Sequence, residues 1–477
     1  MFLSKAPAAA APGRLSLPAV LGFACAYMPF AALQLSVAVQ LPPFFASQLG
    51  LGLAAGAAFG VVRLIDIPVD PALGLLIDKT RTRIGRYRPW MLAGVPILML
   101  ALYMLYQAPP GITEAYLVVW LLVVYLGMSI LLVAGNAWAS SLATAYRERS
   151  RIFGAMLAMG VLGTITALLI PVVFEKLHKP ELDGMRAVGW FLFGLSLIAV
   201  LIAVSRTPER AAAAPSGRRF RLADYAGLLT RGNVLRILAA DFCVTMGPGW
   251  MAALYFFYYR QSRELSLSGA SLLLVLYVLA GLVGAPATAW LANRTSKHRA
   301  LIVSTTLYAL MLIIIPVLPR GEAMLYAPPM FILGALATGF IVMVRAITAD
   351  VGDELRLEGG QDLMGLLYAI TSATTKAAGA LAIFVSFGLL GVVGFNARPH
   401  AVNGPDQIHG LDLVFVIGPI AFVMLGGAAF LGYKLSADRH ADIRRQLDER
   451  DAVYAESPIT QAATGGAMEA VTPRSNT

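Results

Sequence analysis

Apolar residues in this chain gather into twelve runs, each about long enough to cross a bilayer, separated by short polar stretches. The runs predict helices near 17–46, 51–77, 89–107, 115–143, 152–174 and 185–204. A second set follows near 237–259, 268–291, 299–318, 326–349, 363–388 and 412–434. Between the sets, residues 205–236 are polar, Arg-rich and Ala/Pro-containing, which predicts a linker with some amphipathic helix. The tail from 435 to 477 is polar and finishes on Gly, Thr, Pro and Ser, a composition that predicts disorder at its end. The expected organisation is a six-helix bundle over 1–204, a linker over 205–236, a second six-helix bundle over 237–434 and a tail over 435–477. The expected fold class is an all-α membrane protein with twelve transmembrane helices in two halves.

Composition agrees with that pattern. Hydrophobic residues make up 58% of the chain and charged residues 13%, where soluble domains carry about 25% charge. A net charge of +10 raises nucleic acid as a partner. The basic residues, however, sit in short connections: Lys79, Arg81, Arg83, Arg86 and Arg88, then Arg147, Arg149 and Arg151, then Arg294, Lys297 and Arg299. Such clusters in alternate loops set topology, so the expected partner is the lipid bilayer and not nucleic acid. They place both termini and the linker in the cytoplasm, with Lys176, Lys179 and Arg186 as the exception on the other side. The run from Leu17 to Phe45 is too long for a signal-peptide core and reads as an uncleaved first span of an inner-membrane protein. Only Cys25 and Cys243 occur, both in apolar runs, and all five histidines fall in loops or the tail. Neither a metal site, a catalytic constellation nor a resident cofactor is expected.

Ionised residues inside spans carry the functional argument. Each costs roughly 2.5–3.5 kcal/mol or more in a bilayer, so each needs a partner and a reason. Arg63, Asp66 and Asp70 are spaced three and four apart, which stacks them on one helix face. The two acids would titrate as a coupled pair, Arg63 would cancel one negative charge, and room would remain for one more cation. Pro68 and Pro71 remove amide donors and free carbonyls near Leu64 and Ile67 as further oxygen ligands. The alternative is a salt bridge that only pins the helix. Lys376 lies midway along its span, too deep to snorkel from either end, and is expected to face the acids and yield when a cation arrives. Asp241 and Arg345 lie near span ends and read as interfacial or gate-forming ion pairs.

The stretch Arg63-x-x-Asp66-x-x-x-Asp70-Pro71-x-x-Gly74, followed by Asp78-Lys79-Thr80-Arg81 and Gly85-Arg86-Tyr87-Arg88-Pro89-Trp90, resembles the glycoside–pentoside–hexuronide:cation symporter family. A second stretch agrees, with Ala349-Asp350, Asp353-Glu354, Gly365, Tyr368 and Lys376, as does YRERSR from Tyr146 to Arg151, read as the connection after the fourth span. The resemblance implies the major facilitator fold, whose halves are related by a repeat with the site between them. A faint internal echo, Ile77-Asp78-Lys79-Thr80-Arg81 against Ala292-Asn293-Arg294-Thr295-Ser296, fits such a repeat. The resemblance further implies that Asp66 and Asp70, with Arg63 and Lys376, form the cation-coupling centre, and that Trp138 lines a sugar site. Other polar candidates for that site are Gln34, Gln40, Asn136, Tyr368, Thr371 and Ser372. Asp78, Arg81, Arg88, Asp350 and Asp353 are expected to gate it.

Two departures from the family pattern shape the expectation. The sugar-gripping acids of the melibiose permease are replaced here near Phe30–Ala31 and at Ala134. The polar residues of sodium-using relatives are replaced by Val69 and Leu131. A proton needs one carboxylate and sodium needs several oxygens, so proton coupling is the expectation. The expected function is import of a sugar or glycoside with that cation through alternating access. Two alternatives stay open: symport of a lysolipid or other amphiphile, and cation-driven export.

Overall fold

The computed structural model describes residues 15–142, 146–209, 227–359, 363–398, 401–433, 435 and 437–456, and among these there is helix but no strand. The expectations of amphipathic helix within 210–226 and of a disordered end beyond 456 lie outside the described residues. Helix α1 spans Leu17–Gln48. Pro42 and Pro43 offer no amide donor, and α1 widens to π-helical turns on either side, over Ser36–Gln40 and Phe44–Gln48. The second crossing is broken into α2a (Ala54–Ile65) and α2b (Val69–Lys79). Then come α3 (Arg88–Tyr106), α4 (Glu114–Leu142), α5 (Tyr146–Lys176) and α6 (Glu181–Arg206).

The second half holds α7 (Gly232–Phe257, continued by a π turn to Ser262), α8 (Leu267–Arg294) and α9 (Lys297–Ile314). It is completed by α10 (Ala327–Gly359), α11 (Met364–Val392) and α12 (Pro405–Ala428). A polar helix α13 (Ala437–Glu456) follows. Eleven helices among the described residues are long and apolar enough to cross a membrane, and the broken α2 supplies the twelfth crossing. The chain is a multi-pass membrane protein.

Three boundaries differ from the sequence expectation for physical reasons. YRERSR is not a connection: it opens α5, which starts at Tyr146. Helix α10 runs on to Gly359 because its polar end has partners, with Lys297 on Asp350, His440 on Asp353 and Asn233 on Glu354. His440 and Arg444 hold α13 against α10 through Asp353, where composition alone gave no reason for a helix to dock.

The packing repeats between halves. In the first, α1 lies on α5 and α6, and α3 on α4 and α6; in the second, α7 lies on α11 and α12, and α9 on α10 and α12. Across the halves, α2a packs on α11, and α8 packs on α5, as a two-fold repeat requires. We call the side where α6 ends and α7 begins the linker face, and the opposite side the far face. The halves close at the far face. A Cβ at Gly56 would sit 2.3 Å from the Phe387 ring, and one at Gly60 would sit 2.7 Å from the Phe384 Cβ. Arg260 of the α7 end pairs with Glu181 of α6 at 2.7 Å, and Glu175 of α5 accepts the Ser268 amide of α8. Towards the linker face, α11 stays on α2a and keeps only sparse contact with α2b, through Lys376 and Asp70, so a cleft opens between the halves.

Candidate functional site

The break in α2 builds the site. Pro68 and Pro71 cannot donate to the helix ladder, and the chain turns through Asp66, Ile67 and Pro68 before α2b begins. The Leu64 carbonyl accepts from the Ile67 amide at 3.2 Å. The Asp66 carboxylate is held at this break, 6% exposed. Its Oδ1 accepts from Ser129 Oγ of α4 at 3.0 Å, and its Oδ2 meets Lys376 Nζ of α11 at 2.6 Å.

Lys376 does not stop at Asp66. Its ammonium lies 2.7 Å from Asp70 Oδ2 and 3.4 Å from the Asp66 carbonyl oxygen. One cation from the second half therefore bridges two carboxylates of the first, at the point where the halves meet. Two carboxylates thus face a single ammonium. The second oxygen of Asp70, Oδ1, is buried with no hydrogen-bond partner, an acceptor left open in the same centre.

Arg63 is not the counter-ion that its spacing suggested. Among the described residues no ion pair joins it to either acid; its guanidinium instead lies against Gly379, where a Cβ would come within 3.0 Å. The cause is the helix break, which takes Asp70 off the face that Arg63 occupies on α2a. Tyr125 of α4 lies beside both Arg63 and Asp66. Asp241 is likewise not a boundary pair. It is buried, and its Oδ2 accepts from Thr375 Oγ1 at 2.8 Å, one residue from Lys376, with Arg345 nearby. Ser129 and Thr375 were missed by sequence reading. Their only signal is a hydroxyl in an apolar run.

The candidate substrate residues divide. Tyr368 and Ser372 are exposed on the α11 face that carries Lys376, and Gln34 of α1 is exposed. Asn136 of α4 is exposed and accepts the Tyr27 hydroxyl. Thr371 is turned away: it is buried, with its hydroxyl on the Leu367 carbonyl. Trp138 is fully buried, its Nε1 on the Pro208 carbonyl, its ring between Phe23 and the Arg88 guanidinium. In this conformation it presents no ring face to a solute. Gln40 is also buried, near the far face.

Four of the five gating candidates have partners, none of them in the opposite half. Asp78 pairs with Arg86, Asp350 with Lys297 at 2.6 Å, and Asp353 with His440 at 3.0 Å and Arg444 at 3.4 Å. Arg88 donates to the Thr207 carbonyl at 2.8 Å, and Arg81 is exposed. Among the described residues none of these pairs joins the basic loop of the first half to an acid of the second.

A family model described as MFS/sugar transport protein matches residues 22–437. The chain belongs to that family. Membership agrees with the resemblance read from the α2 and α11 motifs. An uncharacterized symporter, YnaJ of Bacillus subtilis, is 25% identical over 92% of this chain and 96% of its own length. The isoprimeverose transporter of Lactiplantibacillus pentosus is 26% identical over 84% of this chain and 85% of its own. The sodium-dependent lysophosphatidylcholine symporter 1-B of Danio rerio is 21% identical over 89% of this chain and 86% of its own. Among solved structures, the nucleoside transporter NupG superposes with a TM-score of 0.64 at 14% identity, over 87% of this chain and all of that one, which shows the shared fold.

Proposed function

We propose that this member of the MFS/sugar transport family imports a sugar or glycoside, chemically unchanged, together with a proton. The observation that carries the reading is the Lys376 bridge to Asp66 and Asp70 across the two halves. The lysine bridges both acids and ties α11 to α2. A cation that neutralises Asp70 weakens that tie, and only then do the halves rearrange around the solute. The linker face, which carries Lys79 to Arg88 and Lys297, is the cytoplasmic face of the inner membrane, with both termini on that side. Tyr368, Ser372, Gln34 and Asn136, exposed in or near the cleft, are the hydroxyl-binding candidates.

Sugar rather than lipid is favoured by two buried positions. Of the three apolar replacements that would suit an amphiphile, Phe30 and Ala134 are 1% and 0% exposed and add no greasy surface to the cleft, while Ala31 is half-buried. Sodium is the second reading for the cation, because Ser129 Oγ adds an oxygen beside Asp66. Proteoliposomes decide between them. Uptake of isoprimeverose or 4-nitrophenyl glycosides is expected under an imposed pH gradient, without sodium, and is expected to vanish in Asp70→Asn. Uptake that follows a sodium gradient at constant pH would overturn proton coupling; uptake of lysolipid alone would overturn the substrate.

A further inference from the structure

Asp241 is an acid within α7 that the proposed function leaves unused. It is 7% exposed, and an ionised group among apolar helices needs both a partner and a reason. Its Oδ2 accepts from Thr375 Oγ1 of α11 at 2.8 Å. Thr375 directly precedes Lys376, whose ammonium spans the halves to Asp66 Oδ2 at 2.6 Å and Asp70 Oδ2 at 2.7 Å. Lys376 thus has carboxylates near it on both halves: the α2 pair, which it holds, and Asp241, which its neighbour holds.

The bond between Thr375 and Asp241 is one that can be given up. A threonine hydroxyl has a single proton to donate, and Thr375 Oγ1 also lies 3.0 Å from the Thr371 carbonyl oxygen of its own helix. It can turn to that carbonyl and leave the carboxylate to a stronger donor, such as an ammonium. Reach is no obstacle. Consecutive Cα atoms are about 3.8 Å apart, and a lysine carries its ammonium on a long flexible stem. The two side chains leave α11 about 100° apart around the helix, an angle that such a stem can wrap. Lys376 therefore comes to Asp241 by side-chain rotation, with α11 kept in place by its packing on α7. Arg345 of α10 is also near Asp241, and among the described residues no ion pair joins the two.

The cation-loaded state creates the need for such a move, and here the inference rests on the proposed function. Once a cation neutralises Asp70, Asp66 alone competes with Asp241 for the ammonium, where two carboxylates did before. We propose that Asp241 is a further coupling residue, which receives the Lys376 ammonium in the cation-loaded state. The exchange turns a bridge between the halves into an ion pair inside the second half. Helix α11 is then untied from α2 with no ammonium left alone in an apolar setting, so the halves gain freedom only after the cation has bound.

The test is a set of thermal unfolding midpoints of the purified full-length protein, which need neither sugar nor a gradient. Asp66→Asn with Asp70→Asn imitates the neutralised acids, and Asp70→Asn alone is the milder background. Asp241→Asn is expected to leave the parent midpoint almost unchanged, because an amide oxygen still accepts from Thr375. In the neutralised protein it should lower the midpoint by several degrees, since Lys376 then loses its remaining carboxylate. Adding Lys376→Met should abolish that difference, and Asp241→Glu, which keeps the charge, should show none of it. If Asp241→Asn prevents folding, Asp241→Ser offers Thr375 an uncharged partner and the same comparison decides. An equal loss in parent and neutralised protein, or a loss that survives Lys376→Met, would assign Asp241 to packing or to Arg345 and overturn the inference. No loss in any background would overturn it too. In proteoliposomes Asp241→Asn should raise the cation concentration for half-maximal uptake about tenfold, and an unchanged value would count equally against it. Absence of sugar uptake by the parent would discard the proposed function alone, while the midpoints would still decide the partner exchange.

Discussion

Lys376 holds one positive charge against two carboxylates, and the balance among these three groups decides what the centre can bind. Lys376→Met should therefore do two things at once. Removing one partner of a buried pair costs about 3–5 kcal/mol, and the 20–30% exposure of Lys376 and Asp70 brings the expected loss towards about 2 kcal/mol. Thermal unfolding should show that loss. Coupled uptake should fall below detection. Ser129→Ala removes a single neutral-to-charged hydrogen bond of about 1 kcal/mol, so the apparent affinity for the driving cation should weaken about fivefold with the fold intact. A stronger effect on maximal rate than on cation affinity would show that Ser129 does something other than steady Asp66. Asp66, Asp70 and Lys376 were legible from the chain because an ionised residue in an apolar run is conspicuous. Arg63 was misread for a related reason. Its spacing implies a shared face only on a continuous helix, and the helix is not continuous.

That interruption of α2 is the feature on which the site's geometry depends. Two prolines within four residues leave the chain to turn at Asp66–Pro68, and both acids meet Lys376 of α11 while Arg63 meets the same helix at Gly379. Pro68→Ala restores an amide donor and should let the helix run straighter. The expected result is stability equal to or above the parent with uptake reduced about tenfold, since straightening draws Asp70 back towards the α2a register. Circular dichroism and transport measured on the same preparation would check it; unchanged uptake would show that the break is incidental. Prolines signal such a break in sequence, but not the direction in which the two pieces turn. Helix α13 was hidden for a different reason. Its own surface is polar, and what docks it is the partner set of His440 and Arg444 on α10.

The closed far face and the open linker-face cleft make this one state of an alternating cycle. Closure depends on the absence of side chains at Gly56 and Gly60, where α2a meets Phe387 and Phe384. Gly56→Val would drive a branched side chain into the Phe387 ring, so the protein should fold but resist closing there. A cysteine placed at Ser47 should then react faster with an impermeant maleimide at the far face, while net uptake drops by about tenfold or more. Unchanged labelling would mean that the ring simply moves aside. Reopening must also part Arg260 from Glu181, a pair that no spacing in the chain reveals because it joins the start of one half's last helix to the end of the other half's first.

Sequence by itself determined what had to be buried and what had to be partnered: twelve apolar runs, a basic face, and the ionised residues Arg63, Asp66, Asp70 and Lys376 that hydrocarbon will not hold alone. Those properties are local, set by transfer energies and by the period of a helix, and they survive without coordinates. The tertiary structure alone decided the partners. That Lys376 meets both acids while Arg63 meets neither, that Trp138 is walled in, and that Asp241 meets Thr375 all depend on the docking of segments up to hundreds of residues apart. Helix breaks and crossings turn side chains by large angles there, and no pattern of neighbours along the chain encodes those angles.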